Sequence, residues 1–191
     1  MVLPGSRRLH PAELAAFAAA ALLGLCVLVI ATRAAGHSAG TQTVVLDAGH
    51  SGSRIAVTAA GLVPGDRIER PVDLVNRDGR RFGSIRITAA AASGSLLVTD
   101  RVNGLQLMVD RCSAPWHSGD AGYSCPGRLT TALDSRPVIG SNLRLRGLSV
   151  AGRAGRDHLL VSLALPLSAG SQFEGLSADV GYVISGKRGR P

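Results

Sequence analysis

Apolar and polar residues alternate along short stretches of the chain beyond residue 42. The clearest case is residues 54–58, in which Ile55 and Val57 share one face of an extended segment. A repeat of two residues is typical of a half-buried β-strand. The same reasoning, with β-branched content, predicts further strands at residues 43–47, 67–75, 82–89, 96–98, 105–109, 143–146, 159–165 and 180–185. Residues 128–133 are predicted to form a short helical turn, and no long amphipathic helix follows residue 34.

Turn-forming residues separate these segments. In Pro64-Gly65-Asp66, Pro presets φ at one corner of a turn and Gly accepts a positive φ at the next. The 24 Gly and 9 Pro of the chain argue against a helical bundle, because both residues interrupt helix interiors. Short strands with frequent turns predict an all-β domain, a β-sandwich or a jelly roll, over residues 43–187. A short basic tail follows at residues 188–191.

The N-terminal region carries the pattern of an export signal. Arg7 and Arg8 precede an unbroken apolar run at residues 14–31, and a positive segment before such a run directs a chain across a membrane. The run is longer than most signal-peptide cores and near the minimum for a membrane span. Two alternatives remain open: residues 1–34 are a cleaved signal peptide or a retained membrane anchor. In both cases residues 35–42 form a flexible linker, and the domain is secreted or lies at the cell surface.

The chain is basic, with a formal net charge of +8, and Lys187 is its only lysine. The excess charge is either scattered over a solvated surface or attracts an anionic polymer of the cell wall, such as teichoic acid or an acidic polysaccharide. There is no dense basic run and no interleaving of basic with aromatic residues. We therefore expect no specific recognition of nucleic acid, and contact with a membrane only through the N-terminal segment.

Two of the three cysteines, Cys112 and Cys125, lie in the predicted β-domain. An even pair in an exported domain indicates a disulfide. The alternative is a metal site to which His117, between the two cysteines, would add a third ligand. The spacing matches no standard zinc pattern, so the disulfide is favoured.

Motifs for catalysis are absent from the sequence. There is no His-Glu-x-x-His, no Gly-x-Ser-x-Gly and no glycine-rich phosphate loop. No histidine has a second histidine at metal-ligand spacing, and no cluster of carboxylates forms a calcium loop. We therefore assign no catalytic residue, no metal and no cofactor, although a triad assembled from distant residues stays open.

Four features in a fixed order resemble the TasA/camelysin family of exported bacterial surface proteins. The first is the N-terminal signal followed by a β-rich domain. The second is the turn at Pro64, Gly65 and Asp66, which is similar to the family's Leu-x-Pro-Gly-Asp element. The third and fourth are the strand at residues 72–79 and the segment at 163–178 before the last strand.

This resemblance implies a jelly-roll-like β-sandwich, secretion, and a structural role in extracellular matrix or surface fibres of a biofilm. Its expected partners are further copies of the chain or other matrix proteins. Some relatives have been classified as metallopeptidases, so a secreted camelysin-type endopeptidase is the alternative function. Because the chain has no zinc-binding motif, no catalytic residue is carried over.

The first predicted strand, with Thr43, Val44, Val45 and Leu46, follows a linker of small and polar residues. A strand on such a linker can leave its own sheet and pair with the open edge of a neighbouring molecule. Exchange of this kind does not close, so it produces filaments. The alternative is that the segment completes its own sandwich as an ordinary edge strand.

Overall fold

Eleven β-strands make up most of the part of the chain that the structure describes. In the computed structural model these residues are 40–46, 54–77, 79–152 and 154–188. The strands are β1 Gln42–Val45, β2 Arg54–Ala60, β3 Arg67–Asn76, β4 Phe82–Ala91, β5 Gln106–Cys112, β6 His117–Gly119, β7 Gly122–Ser124, β8 Leu129–Pro137, β9 Gly140–Leu145, β10 Gly155–Ala164 and β11 Ser177–Arg188. The predicted signal or anchor at 1–34, the linker up to residue 39 and the tail beyond Arg188 lie outside the described residues.

Nine of these strands form two sheets that pack against each other, so the fold is an all-β sandwich. The five-stranded sheet has the order β1-β3-β10-β5-β8, and the four-stranded sheet has the order β2-β11-β4-β9. Neighbours are antiparallel throughout, except that β1 runs parallel to β3. Strands β6 and β7 form a separate hairpin.

The alternation of apolar and polar residues in the sequence matches the alternation of buried and exposed side chains along the strands. In β2, every second residue is buried, beginning with Ile55. In β11 the same pattern places Tyr182 in the core, with 0% of its surface exposed. Both sheets therefore present one apolar face to the other sheet and one mostly polar face outward.

Two predicted elements are wrong. Residues 96–98 form part of a short helix, α1 Leu96–Thr99, and not a strand. Leu97 and Val98 are both buried, and a short apolar run does not by itself distinguish a strand from a buried helical turn. Residues 128–133 belong mainly to strand β8, which pairs with β5, because the open edge of β5 supplies hydrogen-bond partners that a local helical turn would forgo.

The four loops at one end of the sandwich join β2 to β3, β4 to β5, β8 to β9 and β10 to β11. At the opposite end, chain segments join β3 to β4, β5 to β8 and β9 to β10. Among the described residues, no helix is long and apolar enough to cross a membrane.

Candidate functional site

A disulfide joins Cys112, at the end of β5, to Cys125, just after β7. The pairing predicted from the two cysteines is therefore present in the structure. The alternative metal site is wrong, because each sulfur is bonded to the other and His117 lies exposed on β6.

The disulfide holds the β6–β7 hairpin against the outer face of the five-stranded sheet. The Tyr123 backbone N–H donates to Oε2 of Glu69 at 3.2 Å, and Nε1 of Trp116 donates to the carbonyl of His158 at 3.2 Å. Along β10 the outward-facing Leu160 and Ser162 are only 3% and 2% exposed. This part of the outer face is therefore covered.

An ionic cluster lies beside the hairpin, where β3 and β10 pair. His158 Nδ1 is 2.7 Å from Oδ1 of Asp73, and Arg156 Nη1 donates to Oδ2 of the same carboxylate at 2.8 Å. The cluster links residues 85 positions apart in the chain. Sequence reasoning missed it, since no local motif marks it and only the strand register places His158 opposite Asp73. Its evident effect is to fix the pairing of the two strands.

Another carboxylate, the fully buried Asp157, fixes local structure at one end of the sandwich. Its side chain has no exposed surface and lies 2.6 Å from Nε of Arg111 on β5. It also accepts a hydrogen bond from the Ser149 hydroxyl at 2.6 Å and from the Val150 backbone N–H at 2.9 Å. Asp157 thereby holds the 3-10 turn Ser149–Ala151 against β10. The sequence contains no signal for this contact.

The motif Pro64-Gly65-Asp66 forms the tight turn expected of it. The Asp66 N–H donates to the Val63 carbonyl at 3.0 Å, and φ of Gly65 is +96°. The turn is tied to the far end of β10, because Gly65 N–H donates to the Leu165 carbonyl and Leu165 N–H donates to the Asp66 carbonyl, each at 2.9 Å. The motif therefore closes one end of the sandwich and touches no reactive group.

The predicted assembly strand lies in its own five-stranded sheet. Thr43, Val44 and Val45 belong to β1, and the Leu46 N–H donates to the Val75 carbonyl at 2.8 Å. Val44 and Leu46 are 1% and 2% exposed, whereas Val45 is 40% exposed. The strand begins at Gln42, the last residue of the predicted linker.

No group of three or more His, Cys, Asp or Glu side chains within residues 40–46, 54–77, 79–152 and 154–188 is placed to hold a metal ion. Comparisons with protein-family models and with curated proteins find no match to this chain.

Proposed function

We propose that the chain is a secreted or cell-surface structural protein of the extracellular matrix, which associates with copies of itself or with other matrix proteins. The proposal includes export through the N-terminal segment, as a signal peptide or as a membrane anchor. It also draws on the resemblance of the sequence to the TasA/camelysin family, which implies a jelly-roll fold.

The strand order supports a jelly roll. Without β1 and the β6–β7 hairpin, eight strands remain, four in each sheet. Their orders are β2-β11-β4-β9 and β3-β10-β5-β8. Each strand is followed by a strand of the other sheet, except that β5 is followed by its own neighbour β8. This is the strand order of two interlocked Greek keys.

The observation that carries the proposal is the way in which β1 is held. Within the described part of the chain it pairs with β3 alone, through four register positions from Gln42 opposite Val72 to Val45 opposite Val75. The side chain of Val44 is nevertheless buried in the core, with only 1% of its surface exposed. A strand with few hydrogen bonds and well-buried side chains is suited to exchange, because an identical strand from another molecule restores the same contacts.

The edge of β3 offers room for such a strand. β1 covers Val72–Val75, and within the described chain no strand pairs with residues 67–71 of β3 on that side. Pro71 lacks an N–H and limits hydrogen bonding at one position. The Glu69 carbonyl accepts from Nη1 of Arg70 at 2.9 Å, so an incoming strand would have to displace this side chain. An edge of this kind can still be extended by a further strand.

Exposed apolar side chains at one end of the sandwich give further support for association. They lie in the four loops that join β2 to β3, β4 to β5, β8 to β9 and β10 to β11, and their exposed fractions range from 40% to 85%. They are Val63, Leu96, Val102, Ile139 and Leu167. Apolar side chains exposed together at one end of a domain are a feature of many protein interaction sites.

The exchange is tested by comparing the exported chain that begins at Ala35 with a variant that begins at Gly49. Light scattering and electron microscopy over a concentration series should show filaments only for the longer form. Val44→Asp should abolish filaments, because it places a charge at a buried core position. The matched control is Val45→Asp, one position along and exposed, which should retain them.

The proposal fails if the longer form stays monomeric at high concentration, or if the chain that begins at Gly49 makes the same filaments. Cleavage of casein that a metal chelator abolishes would replace it with the camelysin-type endopeptidase.

A further inference from the structure

Arginines face one another on the outer surface of the four-stranded sheet. Arg86 of β4 lies directly opposite Arg144 of β9. Both point outward, because Ile85 and Leu145 beside them in the chain are buried. Arg146 follows two positions beyond Arg144. Like charges directly opposite each other destabilise a sheet, so this arrangement favours the binding of an anion.

The charge on these arginines is only partly balanced. Arg146 pairs with Asp134, in an exposed ion pair. Among the residues that the structure describes, no carboxylate lies within salt-bridge distance of Arg81, Arg86 or Arg144. Arg136 lines the same hollow as Arg144 and Arg146. Its Nε is buried and has no hydrogen-bond partner among the described residues.

Arg86 is nevertheless held in place. Its Nε donates to the Ser84 hydroxyl at 3.1 Å, and its Nη1 donates to the Asn142 carbonyl at 2.9 Å. Asn142 has a φ of +55°, a conformation that few residues other than glycine adopt. These neutral acceptors orient the guanidinium and leave its positive charge uncompensated.

Two hollows adjoin β9, and another shares one lining residue with the first of them. One, of about 400 Å³, lies between the start of β4 and the end of β9 and is lined by Arg144 and Arg146. Another, of about 690 Å³, shares Ala151 with it and is lined by Arg81. A third, of about 370 Å³, also contains Arg144 and Arg146 and adds Arg136 with Asp134.

We call these hollows with Arg81, Arg136, Arg144 and Arg146 the arginine groove. Of the described residues that line it, Asp134 alone is acidic. The groove is therefore a set of neighbouring hollows with an excess of positive charge, which attracts anions and raises their local concentration.

The chemistry of the groove favours phosphate over carboxylate. One guanidinium fork occupies both oxygens of a carboxylate. A phosphate group presents oxygens in several directions and accepts from two or more neighbouring arginines at once. Arg144, on β9, and Arg146, just beyond the end of β9, line the same two hollows, and a bridging phosphate would relieve their mutual repulsion.

The groove also lacks the features that bind nucleic acid. Phe82 is the one aromatic side chain among its described lining residues, and it is only 7% exposed. Single-stranded nucleic acids are bound on exposed aromatic side chains, on which successive bases stack. A groove with arginines and no stacking platform suits a chain of phosphates without bases.

We propose that the arginine groove binds a flexible, base-free polymer of phosphate groups. The site lies at the β9 edge of the sandwich, whereas β1 lies in the other sheet, so binding does not depend on strand exchange. It would give the protein a direct attachment to a phosphate-rich polymer at the cell surface.

The test measures binding of long-chain inorganic polyphosphate to the exported chain that begins at Ala35, with its disulfide intact, over a series of salt concentrations. Arg144→Ala with Arg146→Ala should weaken binding at least about tenfold. Each lost phosphate contact should also make the slope of log K against the logarithm of the salt concentration less negative by about 0.7, as for a flexible single strand.

The matched control is Arg67→Ala with Arg101→Ala. It removes the same charge from the opposite end of the sandwich and should change the affinity less than about twofold. Arg144→Lys with Arg146→Lys keeps the charge but removes the guanidinium forks, and it should bind with intermediate affinity. Thermal melting checks that every variant is folded.

Equal weakening by the groove variant and the control would overturn the proposal in favour of diffuse charge attraction. Tighter binding of single-stranded DNA or of heparin than of polyphosphate, at equal charge, would assign the groove to nucleic acid or to a sulfated polysaccharide and would also overturn it.

Discussion

Removal of the cation beside Asp157 should destabilise the domain strongly. In Arg111→Met the apolar part of the side chain is approximately retained, and the guanidinium that lies 2.6 Å from Oδ1 of Asp157 is lost. Asp157 keeps its hydrogen bonds from Ser149 and Val150. Its charge, however, stays in a site that solvent does not reach, since the side chain is 0% exposed.

The expected loss follows from this geometry. Removing one partner of a buried ion pair typically costs about 3–5 kcal/mol, because the remaining charge is uncompensated. Two donors still reach the carboxylate, and Arg111 is itself 22% exposed, so we expect the lower end, about 3 kcal/mol. For a domain of about 150 residues this corresponds to a fall in Tm of roughly 6–12 °C.

The measurement is urea unfolding of the oxidised domain, followed by circular dichroism, with the free energy obtained by linear extrapolation. The control is Arg146→Met. Arg146 also pairs with a carboxylate, but the side chains of Arg146 and Asp134 are 61% and 74% exposed. Exposed pairs contribute about 0–1 kcal/mol, so this variant should unfold almost like the parent protein.

A loss below about 1 kcal/mol for Arg111→Met, or equal losses for the two variants, would refute the view that burial of Asp157 makes its pairing essential. If Arg111→Met does not accumulate, Asp157→Asn provides a second test. It removes the buried charge while keeping one acceptor oxygen, and it should cost less than loss of the cation.

Four further predictions concern other parts of the domain. Gly65→Ala should destabilise the domain by about 1–3 kcal/mol in the same unfolding assay, because φ of +96° is strained for alanine; an unchanged midpoint would contradict this. Tyr182→Phe should be neutral or stabilising, since the buried hydroxyl has no partner among the described residues and burial raises the pKa of Tyr182; a loss above about 1 kcal/mol would indicate a hidden hydrogen bond. Hydrogen bonds from backbone N–H groups lower the pKa of Asp100 below 3.8. An NMR titration should therefore place its folded pKa below that of the unfolded chain, and the associated stability should be present above the unfolded pKa and be lost as the pH falls from there through the folded pKa. Thiol labelling without reductant should modify neither Cys112 nor Cys125, and reduction should lower stability by roughly 3 kcal/mol.

Local patterns in the sequence determined most of the strands. Alternation with a period of two places side chains on opposite faces of a strand whatever the partner strand is, so β2, β4 and β11 could be predicted from their own residues. The turn at Gly65 could be predicted for the same reason, because its φ depends on the residues of the turn alone. The disulfide was predicted from the even number of cysteines in the β-domain and from the expected export of that domain to an oxidising compartment.

Tertiary structure decided where short apolar segments belong. Leu97 and Val98 fit a strand or a helical turn equally well, and packing selected the turn. The segment that became β8 has little strand pattern of its own, and it is extended because it completes the sheet beside β5. Such choices depend on neighbours that are distant in the chain.

The ionic and candidate binding groups also depended on tertiary structure. Asp73 and His158 are 85 positions apart, and Arg86 and Arg144 lie on different strands that only the register places opposite each other. The sequence by itself determined that the chain is basic and rich in β-strands. Only the folded sheets decided which charges are neutralised within the protein and which remain facing solvent, because the interaction of two charges depends on their distance in space and on their burial, and neither is encoded in local sequence.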